Sequence, residues 1–380
     1  MYNEVVNTQK ARNVSLLLRF FERGSSDFKA RSYQFQTRGE AEKRDTDSPP
    51  LVIKMQILRI QKNDAGQRLD KFLSKAVKGL PMSMMYKYIR TKKIKVNRAR
   101  TQPNYVLAEG DEVLLFIRDE FFDSPEKDKS ALYRIHPKLE IVYEDEHILL
   151  LNKRPGVLVH EDTAAAENTL VMHLQAYLAQ KGEYDPDREQ SFAPALCNRI
   201  DRNTGGIVIA AKTAEALREM NEKIRSDELQ KCYLCAVHGC PPKKSDTLRA
   251  WLRKNSAENK VEISDRERAG FKEIVTKYRV LRDLGDRSLL EVELVTGRTH
   301  QIRAHMAHIG NPLLGDGKYG VNRQDREEGY KFQALYAYRL HFRFASNDGV
   351  LGYLNGKTFC LNTDEIWFLK DFGYREGDKI

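Results

Sequence analysis

The sequence predicts an α+β protein in two folded parts, a small basic module followed by a larger strand-rich domain, and three observations lead there. Strand-like runs dominate from Tyr133 onward with helical stripes between them, the pattern of an α+β fold. Positive charge is concentrated: residues 55–118 hold 14 Lys or Arg against 5 Asp or Glu, a surplus of nine in a chain whose net charge is +10. Between the two parts, residues 119–131 are polar, carry Pro125 and read as a linker. At 380 residues the chain is long enough for two domains and a sizeable core.

The elements follow in order. Residues 1–54 mix charges, serines and Pro49-Pro50 without lasting periodicity, so a disordered extension is expected there, with Met55 a candidate start of the biological chain. Gln56-Ile57-Leu58-Arg59-Ile60 has a strand pattern. Two helices are expected next, one with Leu69, Phe72, Leu73 and Val77 on a shared face and one with Met82, Met85, Tyr86 and Ile89. Ile94 to Asn97 makes a short strand and turn. Lys71, Lys75, Lys87, Arg90, Lys92, Lys93, Lys95, Arg98 and Arg100 alternate with the apolar positions, so the cations face outward as a phosphate-contacting surface.

In the second part, residues 140–152 supply an apolar strand pair, residues 207–211 a buried strand, and Ala214, Leu217, Met220 and Ile224 a helical stripe. Further strands are expected at residues 232–238, 274–281 and 289–295. No internal repeat stands out. Nucleic acid suits the net charge better than a membrane, because no basic amphipathic helix or lipidation signal is evident. Five cysteines without a signal peptide point to a reducing cytosol, and Val14 to Leu18 is too short for a signal or a span before Arg19 cuts it.

Chemistry is expected at residues 198–212, a polar turn that places Asp201 between Arg199 and Arg202 ahead of an apolar strand. Flanking positive charge favours an ionised carboxylate, and Gly205 and Gly206 allow a tight bend and a close ligand. A salt-bridge turn of purely structural purpose is the competing reading of this stretch by itself. Cys232, Cys235 and Cys240 lack a fourth ligand at zinc spacing, and His300, His305 and His308 lack the His-Glu-x-x-His pattern, so no metal is expected. Residues 315–320 fit Gly-x-Gly-x-x-Gly letter for letter, but no strand precedes them and no apolar helix follows.

The turn resembles the signature of the pseudouridine synthases that modify ribosomal and transfer RNA, usually written His-Arg-Leu-Asp-Arg-Asp-Thr-Ser-Gly; Asn198, Ile200, Asn203 and Gly205 depart from it. Lys153-Arg154-Pro155-Gly156 with Val159-His160, the strand around Tyr233, residues 294–305, and Asn311-Pro312 with Leu314-Gly315-Asp316 resemble the family's other motifs in the right order. The basic module resembles the small α-L RNA-binding domain shared with a primary-binding protein of the small ribosomal subunit. The resemblance covers residues 56–118 and 139–345 and implies a catalytic domain from residue 132 to 380, built on a mixed, largely antiparallel sheet.

It further implies that Asp201, Tyr233 and Arg303 are catalytic. The reaction detaches uracil from ribose, turns it and rejoins it through carbon 5, with the base flipped out of its stack. A carboxylate is suited to attack the anomeric carbon or to remove a ribose proton, and both routes stay open. Tyr233 offers a flat face and a hydroxyl, and Arg303 is expected to hold Asp201 by a forked contact. Arg199 would fill the gap left by the flipped base, and Arg202, Thr204, Arg298, His300, Gln301, Lys92, Lys93 and Lys95 are further substrate or RNA contacts. Atoms are only rearranged, so no metal or organic cofactor is needed. The expected partner is RNA, ribosomal or transfer, with no membrane; the expected state is a cytoplasmic monomer. Two rivals remain, a non-catalytic RNA-binding ribosome-assembly factor and a nucleoside glycosylase.

Overall fold

The computed structural model describes residues 55–122, 131–160, 169–255, 258, 260–320, 323–375 and 377–378. The disorder expected of residues 1–54, and the linker residues 123–130, lie outside the described residues. No helix among the described residues is long and apolar enough to cross a membrane.

The N-terminal unit has strands β1 (Met55–Arg59), β2 (Ile94–Val96) and β3 (Glu112–Phe116) in the order β1-β3-β2, all antiparallel, with helices α1 (Leu69–Ala76) and α2 (Met82–Arg90). The apolar face of α1 is the expected one: Leu69, Phe72, Leu73 and Val77 are all buried. Helix α2 differs. It starts directly after Pro81, so its inward stripe is Met85, Tyr88 and Ile89, while Met82 and Tyr86 are exposed and the Tyr86 hydroxyl reaches Asp70 Oδ2 at 3.3 Å. Lys71, Lys75, Lys87, Arg90, Lys92, Lys93, Arg98 and Arg100 are exposed and Lys95 is half-buried, so the cations face solvent, where a polyanion can meet them. The stretch expected as linker begins later than its composition suggests. Phe121 is buried in this unit's core, its ring edge-on to Tyr88 at 6.3 Å.

After helix α3 (Ala131–Arg134), the C-terminal unit is organised around an 11-stranded sheet. Its strands are β4 (Ile141–Glu144), β5 (Ile148–Lys153), β6 (Ala195–Leu196), β7 (Gly205–Ala211), β8 (Leu229–His238), β9 (Ser245–Asn255), β10 (Lys260–Ser264), β11 (Lys272–Asp283), β12 (Arg287–Leu294), β13 (Leu335–Phe342) and β14 (Thr358–Cys360). The order along the sheet is β10-β9-β11-β12-β8-β13-β7-β5-β4, with β14 on β13 and β6 on β7. Among the described residues only the β13–β7 pair is parallel, as the mixed, largely antiparallel expectation requires. Helices α4 (Leu170–Gln180), α5 (Ala214–Arg225), α6 (Gln301–His308) and α7 (Arg323–Glu327) complete it.

Strand β7 is apolar along its whole length, and β5 over residues 148–151, because both faces are covered there. Ile148, Leu150, Ile207 and Ile209 enter one core, and Leu149, Leu151, Val208 and Ala210 the other. Helices α4 and α5 are started by threonines, whose hydroxyls accept from backbone N–H groups of the first turn: Thr169 from Met172 and Thr213 from Ala216. The two units meet through polar groups. Asn63 Oδ1 accepts the Ala214 N–H at 3.1 Å, and the fully buried Asp64 accepts from Ser191 Oγ at 2.5 Å and Gln190 Nε2 at 3.1 Å.

Candidate active site

The loop carrying Asp201 ends where β7 begins, and two glycines let it pass close to β13. A Cβ at Gly205 would stand 2.1 Å from the Tyr336 ring, and one at Gly206, whose φ is +118°, would meet the Ala337 backbone at 2.3 Å. The loop is held from below by the residues around Lys153. Lys153 is 1 % exposed and donates from Nζ to the carbonyls of Arg154, Val157 and Arg202 at 3.1, 3.0 and 2.8 Å. Burial pushes its ammonium down to about 7 against the attraction of Asp201. Three carbonyls accepting three N–H bonds match the protonated form. Arg202 adds a bond from Nε to the Gly156 carbonyl at 3.1 Å, and Gly156 N–H returns one to the Arg202 carbonyl at 2.9 Å.

Asp201 finds its charge partner far away in sequence. Arg303 Nη1, on α6, donates to Asp201 Oδ2 at 2.8 Å. The expected fork is real but points elsewhere: Arg303 Nε and Nη2 grip the two oxygens of Asp316 at 2.6 and 2.7 Å. Asp316 is fully buried, so one carboxylate anchors the guanidinium and leaves its third edge for the other. Burial pushes the Asp316 carboxyl up, but its bonds to Arg303 and to the N–H groups of Lys318 and Tyr319 outweigh this and hold it below the usual range. The Asp201 side chain remains 27 % exposed, open to a ligand, while Arg303 is nearly enclosed. Of the two arginines that flank Asp201 in sequence, Arg202 bonds to Gly156 and Arg199 is exposed.

Tyr233 sits mid-strand on β8, opposite Val292 and Ala337, and is buried. Burial first, and the charge of Asp201 second, push its hydroxyl well above the ordinary tyrosine value, so it keeps its proton at neutral pH. It can donate and relay, and it does not stand ready as a phenolate base. His300 precedes α6 with Nε2 3.9 Å from Asp201 Oδ2.

Two residues expected to touch RNA serve the protein instead. Gln301 is buried; its Oε1 accepts from Thr296 Oγ1 at 2.9 Å and Arg298 N–H at 3.1 Å, and its Nε2 donates to Val275 O and Thr276 Oγ1, each at 3.1 Å. Thr204 is buried and accepts from Gln333 Nε2 at 3.1 Å. Both shape loops that carry the site. Arg298 is exposed, and Lys92, Lys93 and Lys95 lie in the N-terminal unit, apart from this cluster. Lys153, Asp316 and Tyr319 escape the sequence reading as site residues, although all three fall within or beside its motifs. The dinucleotide-like run 315–320 is in fact the turn that presents Asp316 and Tyr319. His305 and His308 bond separately, to Thr276 at 3.0 Å and Asp265 at 2.7 Å. Cys232 and Cys235 enter opposite faces of the sheet.

A flipped base needs a flat apolar face, a carboxyl group near the sugar and something that fixes that group's direction; here Arg303 holds Asp201 at 2.8 Å, and the charge of Asp201 is felt at buried Tyr233. Such an arrangement, with a separate basic module, defines a base-modifying RNA enzyme. The family described as RNA pseudouridylate synthase matches residues 147–308, and the S4 domain matches residues 67–113. Among curated proteins, "Ribosomal large subunit pseudouridine synthase C" of Salmonella typhi is 33% identical over 320 residues, 80% of this chain and 93% of that protein. The protein of the same name from Escherichia coli strain K12 is 34% identical over 291 residues, 74% of this chain and 84% of that one. The solved structure "Human RNA Pseudouridylate Synthase Domain Containing 1" aligns with 64% of this chain at 22% identity and a TM-score of 0.45. The chain belongs to the RNA pseudouridylate synthase family: it is an RNA pseudouridine synthase with an S4 RNA-binding domain.

Proposed function

We propose that this enzyme isomerises specific uridines in large-subunit ribosomal RNA, with Asp201 as the reacting carboxylate. The observation that carries the role of Asp201 is its single bond from Arg303 Nη1, while the other two guanidinium nitrogens are fixed by buried Asp316. That clamp orients a half-open carboxylate at no cost in reorganisation when substrate enters. Tyr233 stacks on the uracil and passes the carbon 5 proton, and exposed Arg199 takes the place of the flipped base. The basic surface of residues 55–118, with Lys92, Lys93 and Lys95, anchors the RNA, and residues 132–380 form the catalytic domain.

The ribosomal target rests on the names of the Salmonella typhi and Escherichia coli relatives, which refer to the ribosomal large subunit. The cysteines are free, which suits action in a reducing cytoplasm, and the acting form in this reading is a monomer. Mapping pseudouridine in ribosomal and transfer RNA from cells with and without the gene tests the target. Loss of one or a few sites in large-subunit RNA is the expected result; loss confined to transfer RNA would overturn it.

A further inference from the structure

Beside Asp201 stands a histidine whose hydrogen-bond state the surroundings determine. The Tyr319 hydroxyl lies between the Val261 backbone N–H, at 3.0 Å, and His300 Nδ1, at 2.9 Å. The amide can only donate, so the phenol oxygen accepts there, and its own proton needs an acceptor. His300 Nδ1 is the acceptor within reach. Burial lowers the pKa of the ring against the pull of Asp201, aided by the positive charges of Arg303 and Lys318, so the imidazole is neutral at neutral pH. A neutral ring that accepts at Nδ1 carries its proton on Nε2. That nitrogen faces Asp201 Oδ2 at 3.9 Å, too far for a direct hydrogen bond.

The arrangement is held firmly. His300 has φ 53° and ψ 19°, a left-handed conformation that a bulky side chain seldom takes, at the start of α6. The Arg303 guanidinium lies over the Tyr319 ring at 5.3 Å, so the residue that clamps Asp201 also packs the tyrosine that orients His300.

We propose that the Nε2–H of His300 and the carboxylate of Asp201 together read the 2′-hydroxyl of the target ribose, with Tyr319 as the positioning residue that fixes the His300 tautomer. This rests on Asp201 being the reacting carboxylate. An oxygen within reach of both groups must accept from His300 and donate to Asp201. A uracil carbonyl or a phosphate oxygen can only accept, and would meet the carboxylate with like polarity. A hydroxyl does both. Inside an RNA chain the 3′ and 5′ oxygens are tied up in phosphodiesters, which leaves each ribose one free hydroxyl, on carbon 2′. Carbon 2′ adjoins the anomeric carbon where the glycosidic bond breaks, so this contact falls beside the reacting bond whichever route Asp201 takes. His300 then becomes a specificity determinant that distinguishes ribose from deoxyribose.

The test has two arms. In the full-length chain with ¹⁵N-labelled histidine, the imidazole resonances are recorded at neutral pH without RNA, and His300 is assigned by the disappearance of its signal in His300→Asn, a substitution that tolerates the left-handed backbone. The expected spectrum is the Nε2–H tautomer, turning to a mixture in Tyr319→Phe, which keeps the ring under Arg303. A charged or Nδ1–H ring in the unmutated protein overturns the proposal. The second arm compares kcat/KM on a synthetic RNA fragment carrying either uridine or 2′-deoxyuridine at the mapped site. Preference for the 2′-hydroxyl is expected to fall about tenfold in both Tyr319→Phe and His300→Asn; an unchanged preference overturns the proposal. Wild-type turnover in Asp201→Asn would remove the carboxylate half whatever the tautomer, which separates failure of that reading from failure of the histidine's role.

Discussion

Gly205 lies flat against the ring of Tyr336, with no room for a side chain: a Cβ there would stand 2.1 Å from ring carbon Cε2. Tyr336 is fully buried and its hydroxyl is tied to Asn152 Oδ1 at 3.0 Å, so the ring cannot swing aside. The family wording has serine at this position, and here the space is filled from β13 instead. Gly205→Ser is therefore expected to destabilise the protein by about 1–3 kcal/mol through overpacking. Urea denaturation of the variant measures this, and an unchanged midpoint would show that β13 yields easily.

The carboxylate that grips Arg303 makes a pH signature. The folded pKa of Asp316 lies below its unfolded value, so its stabilising contribution is complete above the ordinary carboxylate pKa and is lost as pH falls through the folded value. Between pH 7 and pH 3 the Tm of the wild type should fall further than that of Asp316→Asn. Equal falls would show that other carboxylates govern acid unfolding.

Much of this is legible in the sequence, and the limits have physical causes. Asp201, Tyr233 and Arg303 each sit in a local motif, and the structure brings Asp201 and Arg303 into contact. The second partner of Arg303 and the partner of His300 are not legible, because Asp316 and Tyr319 reach them from a turn whose spacing imitates a nucleotide loop. Charge hides β9 and β10: Arg249, Arg253 and Lys260 flank the few inward residues, and pairing of β9 with β11 and of β10 with β9 makes the strands. In β13 the apolar run is broken by Arg339, which is accommodated by Glu291 at 2.6 Å on β12. Composition likewise misplaces Phe121, since a polar neighbourhood does not reveal that one aromatic ring turns back into a core.

Tyr233→Phe keeps the flat ring and deletes only the hydroxyl, which is protonated in the folded enzyme. Uracil detachment should proceed and rejoining should stall, seen in single-turnover experiments as loss of uridine without matching pseudouridine. Normal pseudouridine formation would leave Tyr233 as a stacking platform alone.

Reversing the charges of Lys92, Lys93 and Lys95 should weaken binding to full-length RNA and reduce the slope of log affinity against log salt by about 0.7–0.9 for every phosphate no longer neutralised. Because these residues lie in the N-terminal unit, kcat on a saturating short RNA should hold while KM on long RNA rises. A collapsed kcat with an unchanged salt slope would show that this surface is no RNA anchor.

The central claim is that the carboxylate held by Arg303 does the chemistry, and Asp201→Asn tests it most directly. The substitution is isosteric, leaves Arg303 clamped by Asp316, and removes only the charge. Pseudouridine formation on the mapped RNA should fall by about a thousandfold or more, with Tm and RNA affinity close to those of the wild type. Turnover within a few fold of the wild type, in a folded variant that still binds RNA, would contradict the account.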